Sequence, residues 1–587
     1  MKSSVSLFTG LFYRYKRLLA LSALLGVFLN LLSLATPLSF MAVIDRVLIS
    51  EGYATLTVIL AILLVTAVLT QFLQAGQFHV SQWTALGMGS ESAGVFYKHL
   101  FRLKQSYFDQ TPVGEIVSRT AELDRVRGIL TSWILSLAVD FMFMLVFLVV
   151  MLGLSVPLTL IVLATVPMHV GQYFIFGSAL KRRERENFEA GVNHQSAVIE
   201  SLQGVETVRV SGKTDTQLEG IFSTLDHRLR KSYRLAQVGM WSSRMSEFIG
   251  AASEAVILYY GAKLVLGLEL TLGELVAFNM MKDRVTSPLI RLASIWEEVV
   301  AFRLSVERLN TVLQYELEQS DSSTKSLRKL DSFNTEVTFD ALSFCYPGSE
   351  KSAVSDISLK IKKGERVCFL GESGAGKSTL TRLLTMVYDD YQGDICFDGI
   401  ELRALDLESV RQQAYYVLQK NMLFKGSIAS NILYASERQD AAWVKYCAEI
   451  ACASGFIEKL PHGYDTPILE GARNFSGGEV QRIALARAIA ADTPILVLDE
   501  ATSALDYETE SNVVNNLGKL GKEKTLIIVT HRLSLARICD RIVVLRNGKV
   551  VEEGKHEELI KRAGPYRRLY GYQFGDVDRL PQVAGAG

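Results

Sequence analysis

Gly371-Glu372-Ser373-Gly374-Ala375-Gly376-Lys377-Ser378 is the stretch from which the rest of this chain can be read. It fits the phosphate-loop pattern in full. An apolar run, Val367–Leu370, precedes it, and a helical stretch, Thr379–Val387, follows. That is the strand–loop–helix context the pattern demands. The glycines let backbone N–H groups curl around phosphate oxygens, and the helix N-terminus adds partial positive charge. The predicted nucleotide contacts are Gly371, Ser373, Gly374, Gly376, Lys377, Ser378 and Thr379. Lys377 is expected to reach the β- and γ-phosphates, and Ser378 to ligate Mg²⁺.

Downstream, Ile495-Leu496-Val497-Leu498 is a continuous apolar run that ends in Asp499-Glu500. Such a run reads as a buried parallel strand. Asp499 at its tip is suited to the Mg²⁺ shell, and Glu500 to polarising an attacking water as general base. Together with the phosphate loop, these residues predict an ATPase. Between the two lies Asn474-Phe475-Ser476-Gly477-Gly478-Glu479-Val480-Gln481. This segment resembles the signature of the ATP-binding-cassette family, whose common form is LSGGQ. Phe475 and Glu479 depart from that form, while Ser476, Gly477 and Gly478 keep it.

The resemblance implies further roles. Tyr346, in Phe344-Cys345-Tyr346-Pro347, corresponds to the aromatic that stacks on adenine. Gln419 corresponds to the glutamine that senses Mg²⁺, so the implied metal set is Ser378, Gln419 and Asp499. Ser503-Ala504-Leu505-Asp506 corresponds to the loop at the dimer interface. His531 corresponds to the switch histidine at the γ-phosphate, joining Glu500 and Lys377 in the implied catalytic set. In the family, Ser476, Gly477 and Gly478 complete the site of a facing subunit. The implied cofactors are ATP and Mg²⁺, and the implied partner is a second copy of the chain. ATP would favour the closed pair and hydrolysis would release it.

Upstream, the chain changes character. Of 587 residues, 49% are hydrophobic and 21% charged, and the mean hydropathy is +0.21. One apolar half and one ordinary globular half would give that average. Basic and acidic residues number 62 each, so composition points to no nucleic-acid partner. A membrane helix needs about 20 apolar residues. The runs Leu18–Ile44 and Thr55–Leu73 qualify. Ser132–Leu180 is long enough for a helical hairpin turning at Ser155-Val156-Pro157. A fifth helix is expected over Met245–Leu268. A weaker sixth is expected over Leu272–Val300, interrupted by Lys282, Asp283 and Arg284. Those charges have two readings: a polar path through the membrane, or an earlier exit of the helix into the cytosol. Asp140 reads as an interface residue.

Arg14, Lys16 and Arg17 precede the first run, and the long segments Ser81–Thr131 and Lys181–Arg244 are rich in Lys and Arg. The positive-inside rule places both segments and the N-terminus in the cytosol. Their apolar spacing predicts helical rods continuing from the membrane. The expected fold is therefore a six-helix, all-α transmembrane domain over 1–316, a linker over 317–335, an α/β phosphate-loop ATPase domain over 336–574, and a disordered tail over 575–587. All six cysteines, from Cys345 to Cys539, lie in the second half without metal-binding spacing. They are expected to be reduced, mostly buried thiols.

A membrane domain followed by a cassette on one chain resembles the exporter branch of the family. Within it, Ala35-Thr36-Pro37-Leu38, Ser106-Tyr107-Phe108-Asp109 and Leu272-Gly273-Glu274-Leu275 resemble the hemolysin-type protein secretion and bacteriocin exporters. By the same resemblance, Phe108–Ile116 and Val210–Thr216 are the segments that couple membrane helices to cassettes. The resemblance implies the type I exporter fold and alternating access across a bacterial inner membrane, with the ATPase in the cytoplasm. It also implies a periplasmic adaptor and an outer-membrane channel as further partners. Many such relatives carry an N-terminal cysteine-peptidase-like domain. Here the first membrane run starts near residue 18 and no cysteine precedes Cys345, so leader-peptide cleavage is not expected. Three functions stay open: export of a peptide or protein; export of a lipid, glycolipid or small molecule, which predicts a more apolar cavity; and a non-transport role such as a signalling ATPase.

Overall fold

A computed structural model describes residues 2–50, 52–128, 134–319, 327–419, 421–518, 520 and 524–574. The expected tail over 575–587 and most of the Ser-rich linker core lie outside the described residues. The chain divides into two units. The first comprises Met1–Phe101 and Val113–Tyr315; the second comprises Arg102–Pro112 and Glu316–Gly587.

The first unit is built on six long helices among the described residues: α1 (Lys2–Ser33), α2 (Tyr53–Leu100), α3 (Ile134–Leu154), α4 (Val156–Gln203), α5 (Thr214–Leu266) and α6 (Leu272–Leu313). At 1.5 Å per residue, a 48- or 53-residue helix such as α2, α4 or α5 outruns a hydrocarbon core of about 30 Å. These are the expected rods. Among the described residues, four helical stretches are long and apolar enough to cross a membrane: Gly10–Val47, Tyr53–Leu100, Val156–Gln203 and Thr214–Leu266. The hairpin turn falls where expected. Ser155 caps α4 by accepting from Leu158 N, and Pro157 occupies the first turn, where its missing N–H costs nothing. Antiparallel α4 and α5 are stitched along their length: Gln172 Nε2 donates to Ser242 O at 2.7 Å, Lys231 pairs with Glu186 at 3.0 Å, and Gln217 Nε2 donates to Ser201 Oγ at 2.7 Å.

The sixth helix differs from expectation. It runs unbroken from Leu272 to Leu313. Its charges do not interrupt it because they leave its packed face intact. Phe278, Met281 and Val285 are buried in a core with Phe143, Phe147 and Met151 of α3. Lys282 instead pairs with Glu254 of α5 at 3.3 Å. The start of α6 is tightly specified. Thr271 and Glu274 form a reciprocal capping box. Asp45 accepts from Thr271 Oγ1 at 2.5 Å and from Gly273 N at 2.8 Å. A Cβ at position 273 would sit 2.6 Å from that carboxylate, so a larger residue there would displace the Asp45 side chain.

The second unit carries a six-stranded sheet ordered β12 (Lys549–Gly554), β11 (Arg541–Arg546), β3 (Arg366–Gly371), β10 (Thr525–Val529), β9 (Ile495–Asp499) and β6 (Ala414–Val417). It also carries a four-stranded antiparallel sheet ordered β2 (Ser352–Lys362), β1 (Glu336–Cys345), β4 (Gln392–Phe397) and β5 (Ile400–Glu401), and a two-stranded pair of β7 (Gly426–Ser427) and β8 (Pro467–Ile468). In the larger sheet β3, β6, β9, β10 and β11 run parallel. β12 closes one edge in antiparallel fashion. Successive side chains of a strand point to opposite faces, and here they split into two cores. Cys368, Leu370, Leu496, Leu498 and Ile528 pack on one face; Val367, Phe369, Val497, Ile527 and Val529 pack on the other. In the four-stranded sheet, β1 lies between β2 and β4.

The unit also takes in residues that read as linker. Leu330 and Phe333 are buried in its core, and Ser409 Oγ accepts from Leu330 N at 3.0 Å. All six cysteines are free thiols, but only Cys368, Cys447 and Cys539 are buried, fewer than expected.

Candidate functional site

Parallel strands present all their C-terminal ends at one edge, and chemistry collects there. β3 ends at Gly371, β9 at Asp499, β10 just before Thr530-His531 and β6 just before Gln419. Four segments far apart in sequence thereby meet.

The loop after β3 is shaped by glycine. Gly374 and Gly376 are left-handed, with φ of 77° and 96°. A Cβ on Gly376 would lie 2.5 Å from the Ala353 carbonyl oxygen. The helix α7 (Lys377–Leu384) starts directly after it. Lys377 folds back over the loop, its Nζ donating to the carbonyls of Gly371 and Glu372, each at 2.9 Å. Burial pushes its ammonium below the ordinary lysine value, while Glu500 and Asp499 pull the other way. Ser378 Oγ donates to Asp499 Oδ1 at 3.0 Å. This pair of hard oxygen ligands fits Mg²⁺, which prefers one or two protein oxygens alongside water and phosphate.

Asp499 is itself braced. Tyr416 OH donates to its Oδ2 at 2.6 Å. Burial raises the Asp499 carboxyl above the usual carboxylate range, against the lowering effect of the Tyr416 and Ser378 hydrogen bonds. Glu500 follows in a left-handed conformation, φ 49°, which is uncommon for a residue with a side chain. The Glu500 N–H donates to Val529 O at 2.9 Å, continuing the β9–β10 pairing. Its carboxylate is held from two sides: Gln419 Nε2 donates to Oε2 at 2.7 Å, and His531 Nδ1 lies 3.1 Å from Oε1. The structure therefore brings Lys377, Ser378, Gln419, Asp499, Glu500 and His531 into one cluster.

Tyr346 reaches the same cluster from the smaller sheet. Its OH lies 3.0 Å from Thr379 Oγ1, and its ring meets Tyr388 edge-on at 5.4 Å. Ser476 sits apart, as N-cap of α8 (Gly477–Ala490). The departure at Glu479 has a structural reason: its carboxylate accepts from Ser476 N at 2.8 Å, completing a capping box. Phe475, the other departure, packs edge-on against Phe456. Gly477 and Gly478 form the first turn of α8, and Asp506 caps the helix that follows it by accepting from Thr509 N at 2.9 Å.

Three supporting residues had no assigned role in the sequence reading. Tyr416 reaches Asp499 only because β6 pairs with β9. Gln481 is buried on α8, donates to Glu500 O at 2.9 Å and accepts from Ala504 N at 2.8 Å. It thereby ties the helix of the signature segment to the loop carrying Ser503 to Asp506. Tyr388 OH donates to Asp109 Oδ2 at 2.5 Å, holding the short helix Gln105–Gln110 in the ATPase unit. That helix contains part of the predicted Phe108–Ile116 coupling segment. The second predicted segment, Val210–Thr216, forms the turn between Val205–Val210 and α5 in the first unit.

The first unit has a site of a different kind. A cavity of about 580 Å³ is lined on α1 by Asn30 and Ser33, on α2 by Thr66, Thr70, Gln71, Gln74 and Gln77, and by Asp140 and Arg284. Asn30, Asp140 and Arg284 also border a smaller hollow of about 250 Å³ with Asp283. Arg284 thus lines the larger cavity and Asp283 the smaller one, which leaves both readings of these charges open. Asp140, which reads as an interface residue, lines both.

Two family models match this chain. The ABC transporter transmembrane region covers residues 19–288, and the ABC transporter model covers residues 354–503. The alpha-hemolysin translocation ATP-binding protein HlyB of Escherichia coli is 35% identical over 565 residues, 96% of this chain and 78% of that protein. This chain is an ABC transporter. The Toxin RTX-I translocation ATP-binding protein of Actinobacillus pleuropneumoniae is 34% identical over 95% of this chain and 79% of its own length. The leukotoxin translocation ATP-binding protein LktB of Mannheimia glucosida is 33% identical over 95% of this chain. In structure, the transporter matches a bacterial Atm1-family ABC exporter with ATP bound, at a TM-score of 0.82 and 24% identity, over 96% of this chain and 99% of that one. That likeness shows the exporter fold. The transporter is thus embedded in a membrane, binds ATP, and couples its hydrolysis to transport.

Proposed function

We propose that this transporter exports polypeptides from the cytoplasm across the bacterial inner membrane, working as a pair of identical chains. The observation that carries this reading is the cavity of the membrane unit. Its lining sets amides, hydroxyls and two opposite charges, Asp140 and Arg284, among apolar residues such as Leu29, Leu32 and Met280. A lipid exporter calls for an apolar lining. The relatives named for hemolysin and leukotoxin translocation support the same substrate class.

The residue roles are those the family resemblance implies, and the geometry supports them. Lys377 and the loop N–H groups would hold the β- and γ-phosphates, with Tyr346 against the base. Ser378, Asp499 and Gln419 would hold Mg²⁺, which screens phosphate charge. Glu500 would take the proton from the attacking water, while His531 fixes its orientation. Ser476, Gly477, Gly478 and Asp506 would act on the nucleotide of the facing copy. Their placement suits this, since Ser476 caps a helix whose N-terminus favours an anion. A periplasmic adaptor and outer-membrane channel belong to this reading as partners.

The test is to express the chain and Glu500→Gln in its native cells and compare the media by mass spectrometry. A polypeptide present outside only with the intact chain supports the reading and names the substrate. Matching polypeptides with a difference in a lipid or small molecule would transfer the function to that class.

A further inference from the structure

We propose that the membrane-unit cavity holds extended polypeptide by its backbone amides, through a ladder of glutamine side chains on α2 formed by Gln71, Gln74 and Gln77 and faced by Asn30 of α1. This rests on the polypeptide-export reading and adds which atoms of the substrate are held.

Most of the surface of α2 in this region is apolar and exposed, as at Ile62, Leu64, Val65, Val68 and Leu69. The cavity residues Leu63, Ala67, Thr70, Gln74 and Gln77 recur at spacings of three and four, which is one face of a helix. Thr66 and Gln71 flank that line. The polar residues of the segment therefore gather where the cavity is and are absent where lipid would be. Glutamine is costly against hydrocarbon, since its carbonyl and its two N–H groups would go unpaired.

The members of the ladder differ in how far they are already engaged. Asn30 Nδ2 donates to Gly26 O at 3.0 Å, and Gln77 Nε2 donates to Ser22 O at 3.4 Å. Gln71 and Gln74 are exposed in the cavity wall and hydrogen-bond to no other described residue. A primary amide can donate to a peptide carbonyl and accept from a peptide N–H, so it pairs with any sequence except one lacking N–H groups. Residues 71 to 77 cover about 9 Å of helix axis, close to three residues of extended chain. Asp140 and Arg284 supply both signs of charge at the same wall, so the site does not select strongly for substrate charge. Recognition of the backbone alone suits an unfolded cargo of arbitrary side chains.

The experiment uses the purified full chain in lipid nanodiscs and fluorescence anisotropy. The probes are a labelled Gly-Ser repeat peptide and a polysarcosine oligomer of equal length, which keeps the carbonyls but has no N–H groups. The intact chain is expected to bind the Gly-Ser probe about tenfold more tightly, the scale of one or two neutral hydrogen bonds. Gln71→Leu/Gln74→Leu should abolish that preference, with each single variant in between. Monodisperse elution of each variant checks its fold. Equal binding of the two probes to the intact chain overturns the ladder and leaves polypeptide export standing, as does a preference that survives in the double variant. If neither peptide binds while a labelled phospholipid does, both the ladder and the export reading fall.

Discussion

The two units of this transporter handle polar groups in opposite ways. In the ATPase unit each chemical group is pinned by partners. Glu500 is held by Gln419 and His531, Asp499 by Ser378 and Tyr416, and Lys377 by two backbone carbonyls. In the membrane unit the cavity is lined by polar groups, two of which, Gln71 and Gln74, have no hydrogen bond to a described residue. Phosphoryl transfer needs atoms placed to a fraction of an ångström. Passage of varied cargo needs surfaces that can re-pair. The difference predicts steep single-residue effects in one unit and graded effects in the other.

Four changes put that contrast at risk, from the largest effect to the smallest. Gly376→Ala should abolish nucleotide binding, because the new Cβ meets the Ala353 carbonyl and a left-handed backbone. Binding of a fluorescent ATP analogue measures it, and near-normal affinity would break the picture of a rigid loop. Glu500→Gln should lower ATP turnover by about 10²–10⁴ while keeping ATP bound; phosphate release and retained nucleotide give the two readings. Tyr388→Phe removes only the hydroxyl on Asp109 and should cost about 1–3 kcal/mol in the anchoring of Gln105–Gln110. Its effect on transport-coupled turnover should not add to that of Asp109→Ala, since each removes the Tyr388–Asp109 bond. Asp45→Asn should reduce thermal stability by only about 1 kcal/mol and leave ATP affinity unchanged.

A pH measurement sharpens the same point. The Asp499 carboxyl has a raised pKa because it is buried. A raised group favours the fold below its unfolded value and loses that contribution as pH rises through its folded value. Near neutral pH its charge is therefore a cost that Asp499→Asn removes. In the absence of nucleotide and Mg²⁺, the variant should melt at a higher temperature than the parent, with a gain that shrinks as pH falls. A gain independent of pH would mean that burial of charge is not its source.

What the sequence made legible follows the same division. The phosphate loop is eight consecutive residues whose chemistry and backbone needs are local, so it reads directly. Asp499 and Glu500 read from the apolar run that carries them. Tyr416 does not, because its role comes from the register of β6 against β9 rather than from its neighbours in sequence. Gln481 is silent for the same reason: its partners, Glu500 and Ala504, lie across a loop. The sixth helix reads as weak, because a run of charges says nothing of which face they occupy. Lys282, Asp283 and Arg284 leave Phe278, Met281 and Val285 free to pack. Leu330 and Phe333 sit in a polar stretch that reads as linker, yet each finds a core only after the sheets assemble.

The central claim is that hydrolysis at Glu500 drives polypeptide through the membrane unit. Inverted membrane vesicles containing the chain test it most directly, loaded from outside with unfolded, fluorescent polypeptide and ATP. Accumulation of protease-protected polypeptide with the intact chain and ATP, and none with Glu500→Gln, is the predicted result. Equal protection with both chains, or ATP-dependent movement of lipid with no polypeptide protected, would contradict the account.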